Sequence, residues 1–340
     1  MTRRRLWGDV NARIAGLSRQ IKTRRELEQL AEAGSVDALV DRMTEAGMPP
    51  AFERRNRMGA ALESGILHVM MERQRIVARW CGRYWDAVSP VLDRDDVWSV
   101  RQLVRGAWEN APVADRIRGL VPTTRLPQRT IQELAQRKTA REVVDLLVFW
   151  GHPLGRAVDD VVSSDSPDPL ALESALSLAY ALQLKTAVKM ADRWLASYVG
   201  QLLDIQNIWT LFSLWKKVAP TTAQDLFVSG GERTTPERMT KAMSVPTMED
   251  LKAFVAKIVE GAEVGKMVEG GAFEETSEII VMKLLLATWA RIARREPLST
   301  AVLITYSLRL RIEIHDLRAI VWGVVLGAPV SAILERIHTA

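Results

Sequence analysis

The sequence has 340 residues, of which 48% are hydrophobic and 26% charged, with a formal net charge of +5, so it fits a folded protein with two or three structural units. A single cysteine, Cys81, excludes an internal disulfide and a cysteine-cluster metal site, which is typical of a reducing compartment. Nucleic acid is not expected as a partner, because acidic and basic residues are mixed and aromatic residues are not interleaved with basic ones.

Helical periodicity recurs along the whole chain, while alternating strand patterns are nearly absent. Helices are predicted at 6–30, 60–88, 170–188, 190–215, 275–295 and 299–326. Further helices are predicted to start at Ser35, Thr139 and Thr247, to run from about Pro90 to Trp108, and to follow Pro329. The pattern therefore predicts an all-α protein.

One eight-residue pattern occurs three times, starting at Asp93, Asp204 and Glu313, so the starts lie 111 and 109 residues apart. Each copy has an acid, then Asp or Asn three residues later (Asp96, Asn207 and Asp316), then aliphatic residues. Polar and apolar groups at this spacing share one face of a helix. A carboxylate on such a face needs a donor or a cation, so we expect all three leading acids to be at least partly buried and hydrogen-bonded.

A second element recurs in the same order. Ser35, Thr139 and Thr247 each precede aliphatic residues four and eight positions later, as in a helix that begins with a hydroxyl N-cap. Glu142 and Asp250 stand where a capping box has its acid. Two recurring elements predict three repeat units, 1–111, 112–218 and 219–340, with boundaries at Ala111-Pro112 and Ala219-Pro220.

Basic residues are concentrated near the beginning of the sequence. The possible partner-binding residues are Arg3, Arg4, Arg5, Arg54, Arg55 and Arg57. They form either a solvated helix face or a contact with an acidic partner or an anionic membrane surface.

No catalytic site, cofactor or metal site is predicted. The four histidines lack metal-ligand spacing, and no glycine-rich phosphate loop occurs. The acidic runs 93–96 and 159–165 leave open an all-α enzyme of Mg²⁺-diphosphate chemistry, although the second run leads into a Ser/Pro-rich loop. A generic helical repeat scaffold is the other alternative.

Several segments resemble a central-stalk family of rotary ATPases, called the C subunit in prokaryotic V-type and A-type complexes and the d subunit in eukaryotic ones. The segment 10–14, with Asn11 and Arg13, resembles the opening helix of that family; 306–318 resembles its closing motif, and 204–208 its middle motif. The resemblance covers almost the whole chain. Three positions that are usually basic in the family are Gln102, Ser213 and Trp322 here, and Asn is replaced by Asp at Asp96 and Asp316.

The resemblance implies a funnel of three helical domains about a pseudo-threefold axis, with no catalytic site of its own. It implies a peripheral position on the cytoplasmic face of the membrane, on the proteolipid ring, with the D and F proteins of the central stalk in the socket. The implied function is to couple ATP turnover to the movement of H⁺ or Na⁺. Which ion is moved, and in which direction the complex works, does not follow from the resemblance.

Overall fold

The computed structural model describes residues 3–50, 58–164, 168–189, 192–219, 224–262, 264–265, 268 and 278–339. Helix makes up 74% of the structure, and no strand occurs among the residues that it describes. The predicted all-α class is therefore confirmed.

The α-helices are numbered in chain order. They are α1 Arg3–Ser18, α2 Arg24–Ala31, α3 Val36–Glu45, α4 Met58–Cys81, α5 Trp85–Leu92, α6 Asp95–Trp108, α7 Val113–Ile117, α8 Gln128–Ala135, α9 Ala140–Phe149, α10 Gly155–Val162, α11 Pro169–Val188, α12 Arg193–Leu214, α13 Pro236–Met243, α14 Met248–Ile258, α15 Glu278–Arg295, α16 Ala301–Val325 and α17 Val330–Leu334. Short 3₁₀ turns lie at Gly82–Tyr84 and Gln224–Leu226.

The three repeated N-caps are present. The side chains of Ser35, Thr139 and Thr247 each accept a hydrogen bond from the N–H three residues later, at 3.1–3.2 Å, and so begin α3, α9 and α14. The aliphatic residues four and eight positions after each cap are fully buried. These helices therefore form as the sequence predicts, with a capped start and one apolar face.

The capping-box acids differ from expectation. Glu142 accepts from the N–H of Lys138, and Asp250 accepts from the hydroxyl of Thr247. A complete capping box occurs instead at Thr23 and Glu26, at the start of α2. Helix α2 begins at this box, so the single opening helix predicted at 6–30 is instead two helices, α1 and α2.

The chain forms two compact units, one of Met1–Cys81 with Ser277–Ala340 and the other of Gly82–Thr276. In the first unit α16 packs against α1, α2, α4 and α15, and Trp289 is fully buried. In the second unit α11 packs against α5, α6, α10 and α12. The division into thirds at residues 111 and 219 stays a prediction, since spatial proximity groups the first and last segments of the chain whereas the repeat is defined by sequence.

Candidate functional site

The first carboxylate cluster, of Asp93, Asp96, Thr123, Thr124 and His152, lies in the second unit. The Asp93 carboxylate accepts hydrogen bonds from the backbone N–H of Thr124 at 3.2 Å and from its hydroxyl at 2.6 Å. Asp96 accepts from the Thr123 hydroxyl at 2.5 Å. Asp93 and Asp96 are both buried. Burial and the neighbouring Asp96 raise the pKa of Asp93 to about 7, against the effect of the Thr124 hydrogen bonds.

His152 completes this cluster. Its Nδ1 accepts from the N–H of Leu154 at 3.3 Å, so the proton of the neutral ring is on Nε2, which donates to Asp96 at 3.1 Å. The ring is buried. His152 is therefore a core histidine with both ring nitrogens hydrogen-bonded.

The second carboxylate cluster, of Asp204, Asn207, Val228, Arg233 and Thr234, also lies in the second unit. Asp204 accepts from the backbone N–H groups of Arg233 and Thr234 and from the Thr234 hydroxyl, at 2.7–3.1 Å. Asn207 is fully buried, donates to the Val228 carbonyl and accepts from the Val228 N–H, both at 2.8 Å. One loop therefore satisfies both polar residues of the motif.

The third carboxylate cluster lies in the first unit and contains Glu313 and Asp316. Glu313 accepts from the backbone N–H of Lys22 at 2.8 Å and forms a buried ion pair with Arg73 at 2.7 Å. Arg73 also donates to the Gln20 carbonyl at 2.8 Å. Burial raises the pKa of Glu313, and Arg73 opposes that change.

Asp316 binds the end of the described chain. Its carboxylate accepts from the backbone N–H groups of His338 and Thr339 and from the Thr339 hydroxyl, at 2.6–2.9 Å. Burial acts to raise the pKa of Asp316, but the hydrogen bonds from His315, Thr339 and His338 outweigh it, so the pKa is lowered. Asp316 therefore holds the segment after α17 as an ionised acceptor.

The expectation that Asp93, Asp204 and Glu313 are buried and hydrogen-bonded is confirmed, because their exposed fractions are 4%, 1% and 1% and each accepts at least two hydrogen bonds. The helical setting was wrong for Asp93. Asp204 and Glu313 lie within α12 and α16, but Asp93 follows the end of α5, where its N–H donates to the Ser89 carbonyl. The chain turns there before α6 begins.

The partners of these acids share one position in the chain. Each partner lies about 13–16 residues before one of the three N-caps. Thr123 and Thr124 precede Thr139, Arg233 and Thr234 precede Thr247, and Lys22 precedes Ser35. The first two segments follow their motif in the sequence. The third partner precedes its motif by 291 residues, since Lys22 is near the beginning of the chain. For Asp93 and Asp204, the threonine that precedes the next capped helix was a sequence signal that could have identified the partner.

The other sequence-predicted residues are placed as follows. Asn11 is buried and donates to the carbonyls of Pro297 and Ser299 at 2.9 and 2.8 Å. Arg13 is exposed and pairs with Asp9 at 3.3 Å. Arg54, Arg55 and Arg57 lie outside the described residues, as do the side chains of Arg3, Arg4 and Arg5.

The positions that depart from the family pattern have local roles. Gln102 donates to the Asp115 carbonyl at 3.2 Å, and the Trp322 indole donates to Glu63 at 3.0 Å. Ser213 is exposed. In the first acidic run, Asp93 and Asp96 accept hydrogen bonds from the threonines of a loop. In the second run, Asp159 forms an ion pair with Arg141 at 2.9 Å. Among the described residues no group of three or more His, Cys, Asp or Glu side chains could hold a metal ion.

These features define an all-α protein in which a repeated acidic motif binds the loops between helices. The chain belongs to the ATP synthase (C/AC39) subunit family, whose family model matches residues 10–336.

Named relatives agree with this family. The chain is 23% identical to the C subunit of the A-type ATP synthase of Halorubrum lacusprofundi over 71% of this chain and 70% of the relative. It is 26% identical to that of Archaeoglobus fulgidus over 73% and 70% of the two chains. It is 24% identical to that of Pyrococcus abyssi over 91% and 84%. The likeness to these relatives therefore extends over most of each chain.

Proposed function

We propose that this chain is a non-catalytic rotor subunit of a V/A-type ATPase. It sits on the membrane proteolipid ring and receives the D and F proteins of the central stalk, so that ATP turnover is coupled to the movement of H⁺ or Na⁺. Membership of the ATP synthase (C/AC39) subunit family supports this role, as do relatives that are named as the C subunit of A-type ATP synthases.

The observation that carries the proposal is the way the third carboxylate cluster is completed. Asp93 and Asp204 each bind the segment that leads to the next capped helix, and Glu313 binds the equivalent segment at the beginning of the chain, at Lys22. Repeats that connect in this cyclic order favour a closed arrangement of three units. We therefore propose units at 1–111, 112–218 and 219–340 that form a funnel about a pseudo-threefold axis.

A closed arrangement suits a part that carries torque. An open series of helical units can bend at its free ends, whereas cyclic contacts let each unit restrain the next. The buried ion pair between Arg73 and Glu313 ties α4 to α16 at the point where the chain's first and last segments meet. The proposed concave end takes the stalk, and the broad end rests on the ring.

The proposed location is peripheral, on the cytoplasmic face of the membrane. In the part of the chain that the structure describes, no helix is long and apolar enough to cross a bilayer. We propose that contacts with the ring attach the protein to the membrane, and that the electrostatic contribution to this binding weakens as the salt concentration rises.

Reconstitution tests the function. Membrane rings and D–F stalks are mixed with and without this protein, and joined complexes are counted by electron microscopy. We expect joining only when the protein is present, and equal joining without it would reject the coupling role.

Charge-reversed variants test the predicted basic contacts. The variant Arg54→Glu/Arg55→Glu/Arg57→Glu is compared with Arg25→Glu/Arg105→Glu/Arg156→Glu, a control with the same change in net charge at exposed positions. If the 54–57 segment contacts a partner, the first variant joins fewer complexes than the control. Equal joining by the two variants would remove that segment from the interface.

A further inference from the structure

A groove of about 440 Å³ lies between α1, α15 and α16 in the first unit. Its edges carry three exposed arginines, Arg19, Arg294 and Arg309, and part of its floor is made by Ala290 and Ala293. Among the described residues that line the groove none is acidic. None of the three guanidinium groups forms an ion pair or a hydrogen bond with another residue in the described part of the chain.

Tyr306 also lines this groove. Its side chain is only 3% exposed, and no atom of the described residues hydrogen-bonds to its hydroxyl. Burial raises the pKa of Tyr306 above its usual value, so the hydroxyl remains protonated and available as a donor. A buried donor without a partner is unfavourable in a folded protein, which favours an acceptor that arrives from outside the chain.

The second repeat contains the missing group. Tyr306 and Arg309 lie seven and four residues before Glu313, and the residues in the same places before Asp204 are Ser197 and Gly200. There the Glu232 side chain lies against Gly200, and its carboxylate accepts from the Ser197 hydroxyl at 2.7 Å. A carboxylate therefore covers this face of the motif helix in the second repeat.

The third repeat differs at this place. The segment that binds Glu313 is the N-terminal one, and its residues Arg19, Gln20 and Ile21 bring a cation and no acid. Arg309 occupies the position that Gly200 has in the second repeat, so the helix face that a carboxylate covers there is open and positive in the third repeat.

We propose that the groove of Arg19, Arg294, Arg309 and Tyr306 is a receptor site for the carboxylate side chains of an acidic segment of a partner protein. The arginines supply planar donors suited to carboxylates, and the Tyr306 hydroxyl supplies a further donor. The alanine floor accommodates the aliphatic part of a glutamate. This site goes beyond the proposed coupling role and does not depend on it, because any folded sample of the chain displays it.

Binding of two model peptides tests the site. One is a capped peptide of three glutamates flanked by alanines, and the other has glutamines in their place; both are titrated into the full chain at low ionic strength and followed by calorimetry. We expect the glutamate peptide to bind, and its affinity to fall as salt is added. Equal binding of the two peptides, or binding of neither, would overturn the proposal.

Variants assign the binding to this groove. Arg19→Gln/Arg294→Gln/Arg309→Gln should weaken glutamate-peptide binding about tenfold, because three exposed charge pairs of ordinary strength add up to roughly one decade. Arg25→Gln/Arg105→Gln/Arg156→Gln loses the same charge at other exposed positions and should bind as the parent does. Equal loss in both variants would show a nonspecific charge effect and reject the site.

Tyr306→Phe separates binding from folding. It removes a hydroxyl that lacks a hydrogen-bond partner among the described residues, so we expect an unchanged or higher Tm together with weaker binding of the glutamate peptide, by about threefold. A lower Tm with unchanged binding would mean that the hydroxyl serves the fold.

Binding to vesicles of phosphatidylglycerol is the last measurement. If the chain binds these vesicles through the three arginines but does not bind the glutamate peptide, the ligand is a lipid and the proposal of an acidic partner protein is rejected.

Discussion

The first and third carboxylate clusters occupy equivalent places in the repeat but satisfy their buried charge in different ways. Glu313 pairs with a cation, Arg73, whereas Asp93 accepts only from Thr124 among the described residues and lies near a second carboxylate, Asp96. Burial raises the pKa of both carboxylates. At Glu313 the charge of the ion-paired Arg73 is the main opposing effect, whereas at Asp93 the Thr124 hydrogen bonds oppose burial first and the charge of Arg125 adds to them. The same motif can therefore serve one contact through charge pairing and another through hydroxyl and backbone donors.

The location of the two clusters gives this difference a structural meaning. The first joins α5 and α6 to a loop that follows them within about 30 residues, while the third joins segments from the two ends of the chain. Closing a long loop costs more conformational entropy than closing a short one. The third cluster, which closes the longer loop, contains the stronger charge-assisted contact, and that contact offsets more of the entropy cost.

The largest expected effect is at the third cluster. Arg73→Met leaves Glu313 buried without its cation and should lower the free energy of unfolding by about 3–5 kcal/mol, because an uncompensated buried charge remains. The variant Arg73→Met/Glu313→Met removes both charges and should recover most of that loss. Guanidinium unfolding curves measure both values, and a double variant as unstable as Arg73→Met would mean that the ion pair is not the cause.

A substitution in the second cluster should have the next largest effect. A Cβ atom added to Gly231 would lie 2.2 Å from Oδ1 of Asp204 and 2.8 Å from the Thr234 hydroxyl oxygen. Gly231→Ala should therefore displace this loop and cost about 2–3 kcal/mol. Gly16→Ala is the matched control, since nothing lies within 4 Å of its added Cβ in α1 and the helix should gain up to about 1 kcal/mol. Similar stability of the two variants would contradict the tight packing at Asp204.

The first cluster should differ from the others in its pH dependence. The folded-state pKa of Asp93, about 7, is above the ordinary value of 3.8, so the folded protein holds a proton between these values that the unfolded chain releases. The stability that Asp93 contributes is thus present below about pH 4 and is lost as the pH rises to about 7, at up to about 1.4 kcal/mol per pH unit.

Asp93→Asn tests this dependence, since the amide keeps the shape and remains neutral. We expect the variant to match the parent near pH 4 and to be the more stable of the two at pH 8, because its neutral amide leaves no charge to be buried. Unfolding curves measured across this pH range for both proteins provide the comparison. A constant difference at all pH values would show that Asp93 does not take up a proton on folding in this range.

The regular parts of the fold could be predicted from sequence because their causes are local. The caps at Ser35, Thr139 and Thr247 and the burial of the motif acids follow from residue type and helical spacing. Caps and periodicity involve residues within a few positions of each other. The pattern therefore carries enough information to place these helices.

The partners of Glu313 could not be predicted, because they lie in distant parts of the chain. Arg73 and Glu313 are separated by 240 positions, and helical periodicity does not indicate which distant segment meets which face. The break after α1 has the same origin. The Lys22 N–H donates to Glu313, and Arg73 donates to the Gln20 carbonyl, so tertiary contacts take up backbone groups that a continuous helix would use.

The smallest expected effect concerns the caps, which are alike where the carboxylate clusters differ. Each cap hydroxyl accepts one N–H at 3.1–3.2 Å in an exposed setting, and each starts a helix with two fully buried aliphatic residues. Ser35→Ala, Thr139→Ala and Thr247→Ala should therefore each cost about 1 kcal/mol, with values that agree closely among the three. Equal costs would show that the three helix starts are equivalent while the three buried carboxylate contacts have diverged. If one cap cost several times more than the others, the three helix starts would not be equivalent, and the repeat as we define it would hold for the acidic motif alone.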